Sequence, residues 1–176
     1  LLLTNAYVKL DDLAEILYVS RSTLQNDLKE LRKLLATYGL SLENRPYHGI
    51  RVKGNEARLR YCISDYIFNR IDEIGDQQMS PPPLISNEEM GFIREVILDR
   101  IEINDIQLSD IALNNLVIHI AIACKRIREE RYVSYYPQEM KKIEAQKEFR
   151  VATEIVSALE QNMKYSFPLV EVAYIA

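Results

Sequence analysis

Apolar residues recur along this chain with two different periods, and the switch between them outlines its architecture. From Leu10 to Tyr18 the carboxylates Asp11 and Asp12 precede Leu13, Ala14 and Leu17 at helical spacing, which puts negative charge at the positive end of a short helix. Tyr18-Val19 interrupts the pattern. Ser20 then supplies an N-cap for a second helix, expected to run to Tyr38 and to be closed by Gly39. Along it Leu24, Leu28, Leu31, Leu35 and Tyr38 form one continuous apolar stripe. The period next drops to two: Leu40-Ser41-Leu42 and Ile50-Arg51-Val52-Lys53 alternate apolar and polar around Arg45-Pro46-Tyr47-His48-Gly49, the pattern of a β-hairpin. Two helices joined by a short turn and followed at once by a hairpin predict a winged helix-turn-helix.

Beyond the hairpin the period returns to that of a helix. Gly54 ends the wing, and Asn55 caps a helix from Glu56 to about Ile71 with Leu59, Cys62, Ile63, Tyr66, Ile67 and Ile71 as its apolar side. Gly75, Asp76-Gln77-Gln78 and Pro81-Pro82-Pro83 carry a linker signature. The expected organisation is therefore a winged helix-turn-helix with its connecting helix over 1–71, a linker over 72–87, and an all-helical domain over 88–176. In that domain Ser86 or Asn87, with Glu88 and Glu89, opens a helix whose core side is Phe92, Ile93, Val96, Ile97 and Ile101. Ser109-Asp110 opens another, running to about Arg128, that is apolar nearly all the way round: Ile111, Leu113, Leu116, Val117, Ile118, Ile120, Ala121, Ile122 and Cys124. Such a helix belongs at the centre of a bundle. A third is expected over roughly 138–163, with Ala152, Ile155, Val156, Leu159 and Met163 as its stripe. Ser166-Phe167-Pro168 starts a fourth, Leu169 to Ala176, expected to continue past the last residue. Leu1 to Thr4 reads as the tail of a preceding helix. The fold class is mainly α: a winged helix-turn-helix with a small hairpin wing, then an all-α helical bundle.

Charge sharpens the picture of the first half. The chain has 176 residues, 48% of them hydrophobic, enough to bury a proper core. Its net charge of -4 is uneven, because residues 1–60 hold ten Lys and Arg against seven Asp and Glu, and the remainder twelve against nineteen. That asymmetry fits a nucleic-acid-facing N-terminal part. On the second helix Ser22, Gln25, Asn26, Lys29 and Lys33 lie roughly opposite the stripe, with Asp27 and Glu30 on a third side. A major groove requires such a face: short polar side chains near the helix start for base edges, and Lys further along for phosphates. An ordinary solvated helix has the same composition, and the hairpin that follows favours the groove. On the wing, Leu40, Leu42, Ile50 and Val52 should face the helices and leave Arg45, Arg51 and Lys53 free for the phosphate backbone. The candidate DNA-contacting set is Ser20, Arg21, Ser22, Thr23, Gln25, Asn26, Lys29 and Lys33 with Arg45, Arg51 and Lys53, and the expected partner is duplex DNA.

Candidate chemistry is sparse. Cys62 and Cys124 each sit in an apolar helical pattern, as buried free thiols do, which points to a reducing cytoplasm. No apolar run reaches the length of a membrane span, so no membrane partner is expected. Without a Gly-rich phosphate loop, a cysteine pair at metal spacing, or a histidine near a plausible nucleophile, neither an enzyme, a cofactor nor a metal site is indicated. His48, at the hairpin tip, reads as a turn residue or a phosphate contact. His119 is different, being polar on an apolar helix. Its face includes Ala112, Asn115, Leu116, Ile122, Ala123 and Arg126, so small residues leave room beside it and polar ones flank it, an arrangement suited to a partly open groove. A structural histidine satisfied by hydrogen bonds fits the same pattern.

Two stretches resemble a known family. Leu108-Ser109-Asp110 through Asn114-Asn115-Leu116-Val117-Ile118-His119 to Arg126, followed by Phe167-Pro168-Leu169-Val170-Glu171-Val172-Ala173-Tyr174-Ile175-Ala176, resembles the PTS regulation domain, or PRD. Leu13-Ala14-Glu15, Val19-Ser20-Arg21-Ser22-Thr23-Leu24, Asp27-Leu28 and Gly49-Ile50-Arg51-Val52-Lys53-Gly54 look like the winged-helix segment that precedes PRDs in bacterial sugar-operon activators. The resemblance implies a DNA-binding transcriptional regulator controlled by the phosphoenolpyruvate-dependent sugar phosphotransferase system. It aligns His119 with the first phosphorylatable histidine of a PRD and Arg126 with an arginine that follows on the same helix. Asn115 and Arg126 would form the phosphohistidine environment. The family's second histidine falls just past the stretch that ends at Ala176. The implied partners are the phosphocarrier HPr, sugar-specific enzyme II domains, and a second copy in a homodimer. An imidazole suits such a relay because a P–N bond is labile enough for reversible exchange. RNA-binding antitermination, used by PRD relatives, is the alternative within the family, but those proteins begin with a small β-rich domain where this chain shows two helices and a wing. A helical module that binds only protein partners is the other alternative.

Overall fold

The computed structural model of the chain describes residues 1–4, 6–74, 86–135 and 137–176. It is mainly helical and divides into two compact units, Leu1–Asp65 and Tyr66–Ala176.

The first unit opens with a turn at Leu2-Leu3 in place of the expected helix tail, and Leu1 packs against the unit's core. Helix α1 (Leu10–Ile16) carries Asp11 and Asp12 in its first turn, where they offset the partial positive charge of the exposed amides. Tyr18 takes a left-handed conformation, φ 53°, which turns the chain within a few residues. Ser20 is extended and its hydroxyl accepts the Thr23 N–H at 3.1 Å, opening α2 (Arg21–Thr37). Gly39, at φ +67°, ends the helix: its N–H donates to Ala36 O and the Leu40 N–H to Leu35 O, each at 2.9 Å, the paired bonds of a Schellman motif. Leu24, Leu28 and Leu35 are buried, with Leu31 and Tyr38 half-buried beside them. The apolar stripe faces inward as its spacing requires.

Strands β1 (Ser41–Arg45) and β2 (Gly49–Lys53) pair antiparallel with Leu42 opposite Val52 and Asn44 opposite Ile50. Leu40, Ile50 and Val52 are buried and Leu42 half-buried, so the expected inward face of the wing is the observed one. One feature of the sheet has no period-two signal. Val8 exchanges both backbone hydrogen bonds with Ile50, at 2.9 and 2.8 Å, as a one-residue third strand. This contact explains Gly49. Its φ is +104°, and a Cβ there would lie 2.1 Å from the Val8 carbonyl oxygen.

Helix α3 (Glu56–Ile74) is capped by Asn55, whose Oδ1 accepts the Ala57 N–H at 2.9 Å. Leu59, Cys62, Ile63 and Ile67 are buried as expected, but Tyr66 is exposed and Arg60 is fully buried, its Nε on Glu56 at 3.1 Å. A hydrophobic stripe takes no account of a cation that carries its own carboxylate inward. The division between the units falls within α3. The Ile71 side chain and most of the expected linker 72–87 lie outside the described residues.

The second unit contains α4 (Asn87–Ile103), α5 (Asp110–Arg128), α6 (Pro137–Glu144), α7 (Lys147–Asn162) and α8 (Leu169–Ile175). Ser86 and Glu89 form a reciprocal capping box on α4, and Ser109 caps α5 through the Ala112 N–H. Ile93 and Ile97 of α4, Leu113, Val117, Ile120, Ala121, Cys124 and Ile127 of α5, Val151, Ala152, Ile155, Val156 and Leu159 of α7, and Val172 of α8 pack as one core. Two expectations need correction. Ile111, in the first turn of α5, is exposed. The single helix expected over 138–163 is two, broken at Gln146, which is extended at φ -89°, ψ 151°. No glycine or proline marks the break. Folding back lets α6 pack on both α7 and α8, which a straight continuation of α7 has no means to do. Both cysteines are buried free thiols.

Gly49→Ala should destabilise the first unit by about 2–3 kcal/mol, the cost of a non-glycine residue in a strained conformation plus the displaced Val8 bridge. Chemical denaturation followed by circular dichroism measures it, and a loss under about 0.5 kcal/mol would refute the bridge's importance.

Candidate functional site

Two groups of residues carry the candidate chemistry, one in each unit. On α2 the side chains of Ser22, Gln25, Asn26, Lys29 and Lys33 are all exposed, on the side opposite the buried stripe. The short polar residues occupy the helix's first turns and the lysines follow. Some of the set is already engaged. The Ser20 hydroxyl lies 2.8 Å from both the Ser22 and the Thr23 hydroxyls while it caps the helix, so Ser20 and Thr23 act first in holding the helix start. Arg21 pairs with Asp11 of α1 at 3.1 Å, Lys29 donates to Asn26 at 3.1 Å, and Lys33 pairs with Glu30 at 2.8 Å. Glu30 therefore reaches the outer face instead of standing on a separate side. These partners are solvated and weakly bound, so a phosphate can displace them.

The wing departs from expectation more sharply. Arg51 and Lys53 are not free: register places Glu43 directly opposite Arg51, and the Glu43 carboxylate takes Arg51 at 2.7 Å and Lys53 at 3.9 Å. The Tyr7 hydroxyl donates to the same carboxylate at 2.7 Å, and the Arg51 guanidinium lies 4.5 Å from the Tyr7 ring centre. Tyr7 and Arg51 together hold the Glu43 carboxyl below the usual carboxylate range, and the same bond raises the Tyr7 phenol. Sequence reasoning missed Tyr7 and Glu43 because a cross-strand pair is a property of register. At the tip Tyr47 projects almost fully into solvent in a left-handed conformation, with Arg45 exposed beside it. His48 lies over Tyr7, ring centres 6.1 Å apart.

In the second unit His119 sits on α5, half-buried, where α8 packs against that helix. Its Nδ1 lies 3.3 Å from the Tyr174 hydroxyl of α8, with the two rings edge to face. Burial lowers the imidazole pKa and keeps the ring neutral near pH 7. The residues on its face differ in exposure: Ala112 and Leu116 are half-buried. Ala123 is fully buried, Asn115 half-buried, and Arg126 almost fully enclosed with its Nη1 on Glu129 at 2.8 Å. Arg126 is two helical turns from His119, about 10 Å along the axis. One residue brought onto His119 is Tyr174, distant in sequence and lacking any periodic signal of its own. Glu171, three positions before it and fully buried, accepts the Val133 N–H at 2.9 Å and pins α8. Among the described residues no cluster of His, Cys, Asp or Glu is arranged to hold a metal, and no helix is long and apolar enough to cross a membrane.

Comparison with known proteins agrees with this arrangement. Residues 1–67 match the Mga helix-turn-helix domain and residues 94–176 the PRD domain. The chain is 46% identical over 175 residues to the probable licABCH operon regulator of Bacillus subtilis (strain 168), and 24% identical over 179 residues to the transcriptional regulator ManR of the same organism. Each alignment covers 99% of this chain but 27% of the relative, so the chain spans about a quarter of the length of either protein. A helix-turn-helix match followed by a PRD match along one chain, with a relative sharing nearly half of the aligned residues, makes the chain similar to the corresponding part of PRD-containing transcriptional regulators.

Proposed function

We propose that this chain is the DNA-binding and first regulatory segment of a cytoplasmic, homodimeric regulator of a sugar-utilisation operon, not an enzyme. In this reading α2 enters the major groove, and phosphorylation of His119 by the sugar phosphotransferase system, through HPr or an enzyme II domain, sets its occupancy. The observation that carries the DNA half is the outer face of α2. Ser22, Gln25 and Asn26 are exposed in its first turns and Lys29 and Lys33 follow, on a winged helix whose own ion pairs there are weak. A groove presents base edges to the first group and phosphates to the second. The wing contributes through Arg45 and the tip, with Arg51 and Lys53 held in reserve on Glu43. In this reading the linker between the two parts falls within 72–87, of which 72–74 complete α3 and Asn87 opens α4. The regulatory half draws on a half-buried imidazole, kept neutral by burial, on the helix that α8 packs against. A dianionic phosphoryl group placed between α5 and α8 alters their packing.

Binding to duplex DNA should show a steep negative salt dependence, and Lys29→Ala should weaken it and flatten the logarithmic slope by about one. Arg51→Ala should change the slope less, because that guanidinium is already neutralised by Glu43. Absence of duplex binding at low salt would sink the DNA reading.

His119→Ala should abolish incorporation of labelled phosphate from phosphorylated HPr or a phosphorylated enzyme II domain. Undiminished labelling of that variant, measured on the purified chain, would remove His119 from the mechanism.

A further inference from the structure

On the reading of the first unit as a DNA-binding segment, we infer that Glu43 restrains sequence-independent attachment of the wing by competing with phosphate for Arg51 and Lys53. Strand alternation puts Glu43 and Arg45 of β1 and Arg51 and Lys53 of β2 on the face of the hairpin turned away from Leu42, Ile50 and Val52. Glu43 is the only acidic residue between Ser41 and Lys53, and it stands among the three cations. Register sets it directly opposite Arg51, with Lys53 on the diagonal. The carboxylate reaches both, Arg51 at 2.7 Å through Oε2 and Lys53 at 3.9 Å through Oε1.

The carboxylate is held in place as well as near. Its Oε2 also accepts the Tyr7 hydroxyl at 2.7 Å. Tyr7 is itself positioned by its neighbour Val8, which exchanges both backbone hydrogen bonds with Ile50, and its ring centre lies 4.5 Å from the Arg51 guanidinium. The Arg51 and Glu43 side chains are 31% and 32% exposed, against 74% and 73% for the Lys33–Glu30 pair on α2. Solvent and salt therefore screen the wing pair less, and a phosphate displaces it less readily. Displacement would also leave Glu43, whose carboxyl Tyr7 and Arg51 hold below the usual carboxylate range, beside an incoming phosphate of like charge. Both effects oppose every stretch of DNA equally, because phosphates carry no sequence information. Contacts from α2 to base edges act only where the sequence matches, so restraining the wing makes binding depend more on α2.

The test measures binding of the full 176-residue chain to a mixed-sequence DNA duplex through a salt titration. Glu43→Gln removes the charge and keeps a side-chain oxygen for Tyr7 and Arg51. It should bind about threefold to tenfold more tightly at low salt, with a logarithmic slope steeper by about one, as one more phosphate contact requires. In the Glu43→Gln background Arg51→Ala should flatten the slope by about one, against a smaller change in the unsubstituted chain. That difference separates competition for Arg51 from a merely structural role of Glu43. Equal binding by the unsubstituted and Glu43→Gln chains, or an Arg51→Ala effect of the same size in both backgrounds, overturns the inference and leaves the DNA reading standing. No duplex binding by any of these chains at low salt defeats the DNA reading, and the inference with it. If Glu43→Gln fails to fold, as circular dichroism would show, Glu43→Thr removes the charge with a residue suited to a strand and is held to the same outcomes.

Discussion

A polar ring on a helix that is apolar nearly all round must be given a partner, because leaving it unsatisfied in a packed bundle costs about 1–3 kcal/mol. In this chain a partner of His119 comes from α8, and much of the second unit can be understood from that contact. Tyr174 reaches His119 because α8 is seated on α5. Helix α8 is seated because Val172 joins the common core and Glu171 is buried on the Val133 amide. The core that receives it is built by α4, α5 and α7, each contributing isoleucine, leucine or valine at helical spacing. One hydrogen bond between two aromatic side chains thus reports on the packing of several helices.

The first unit follows a similar rule with different chemistry. Helices α1 and α2 and the wing meet around Leu24, Leu28, Ala14 and Ile50. Ile50 belongs to this core and also to the bridge with Val8, so the wing is anchored by side chain and backbone together. On the opposite side of the sheet Glu43 gathers Arg51, Lys53 and Tyr7. That one carboxylate offsets one of the wing's three positive charges and engages Arg51 and Lys53, leaving Arg45 exposed beside the hairpin tip.

Helical and strand periodicity made the elements legible because burial imposes the same period on side chains wherever a surface is half covered. Ser20, Ser86 and Ser109 were readable as caps for an equally local reason, since each satisfies backbone amides within three residues. The break at Gln146 was not readable. It is a choice between two packings of compatible helical sequence, made by α7 and α8 together. Gly49 was visible as a turn residue, but its need for glycine became clear only when Val8 was found against it.

The amino-acid sequence by itself determined a winged helix-turn-helix followed by a helical bundle, the polar outer face of α2, and the isolation of His119 among apolar neighbours. These are all consequences of spacing along one chain, and spacing is preserved on folding. Only the tertiary structure decided that Arg51 and Lys53 are held by Glu43 and that Tyr174 lies on His119. Cross-strand register and helix docking bring together residues 8 positions apart in one case and 55 in the other. Pairings of that kind depend on geometry between elements, which no local period encodes.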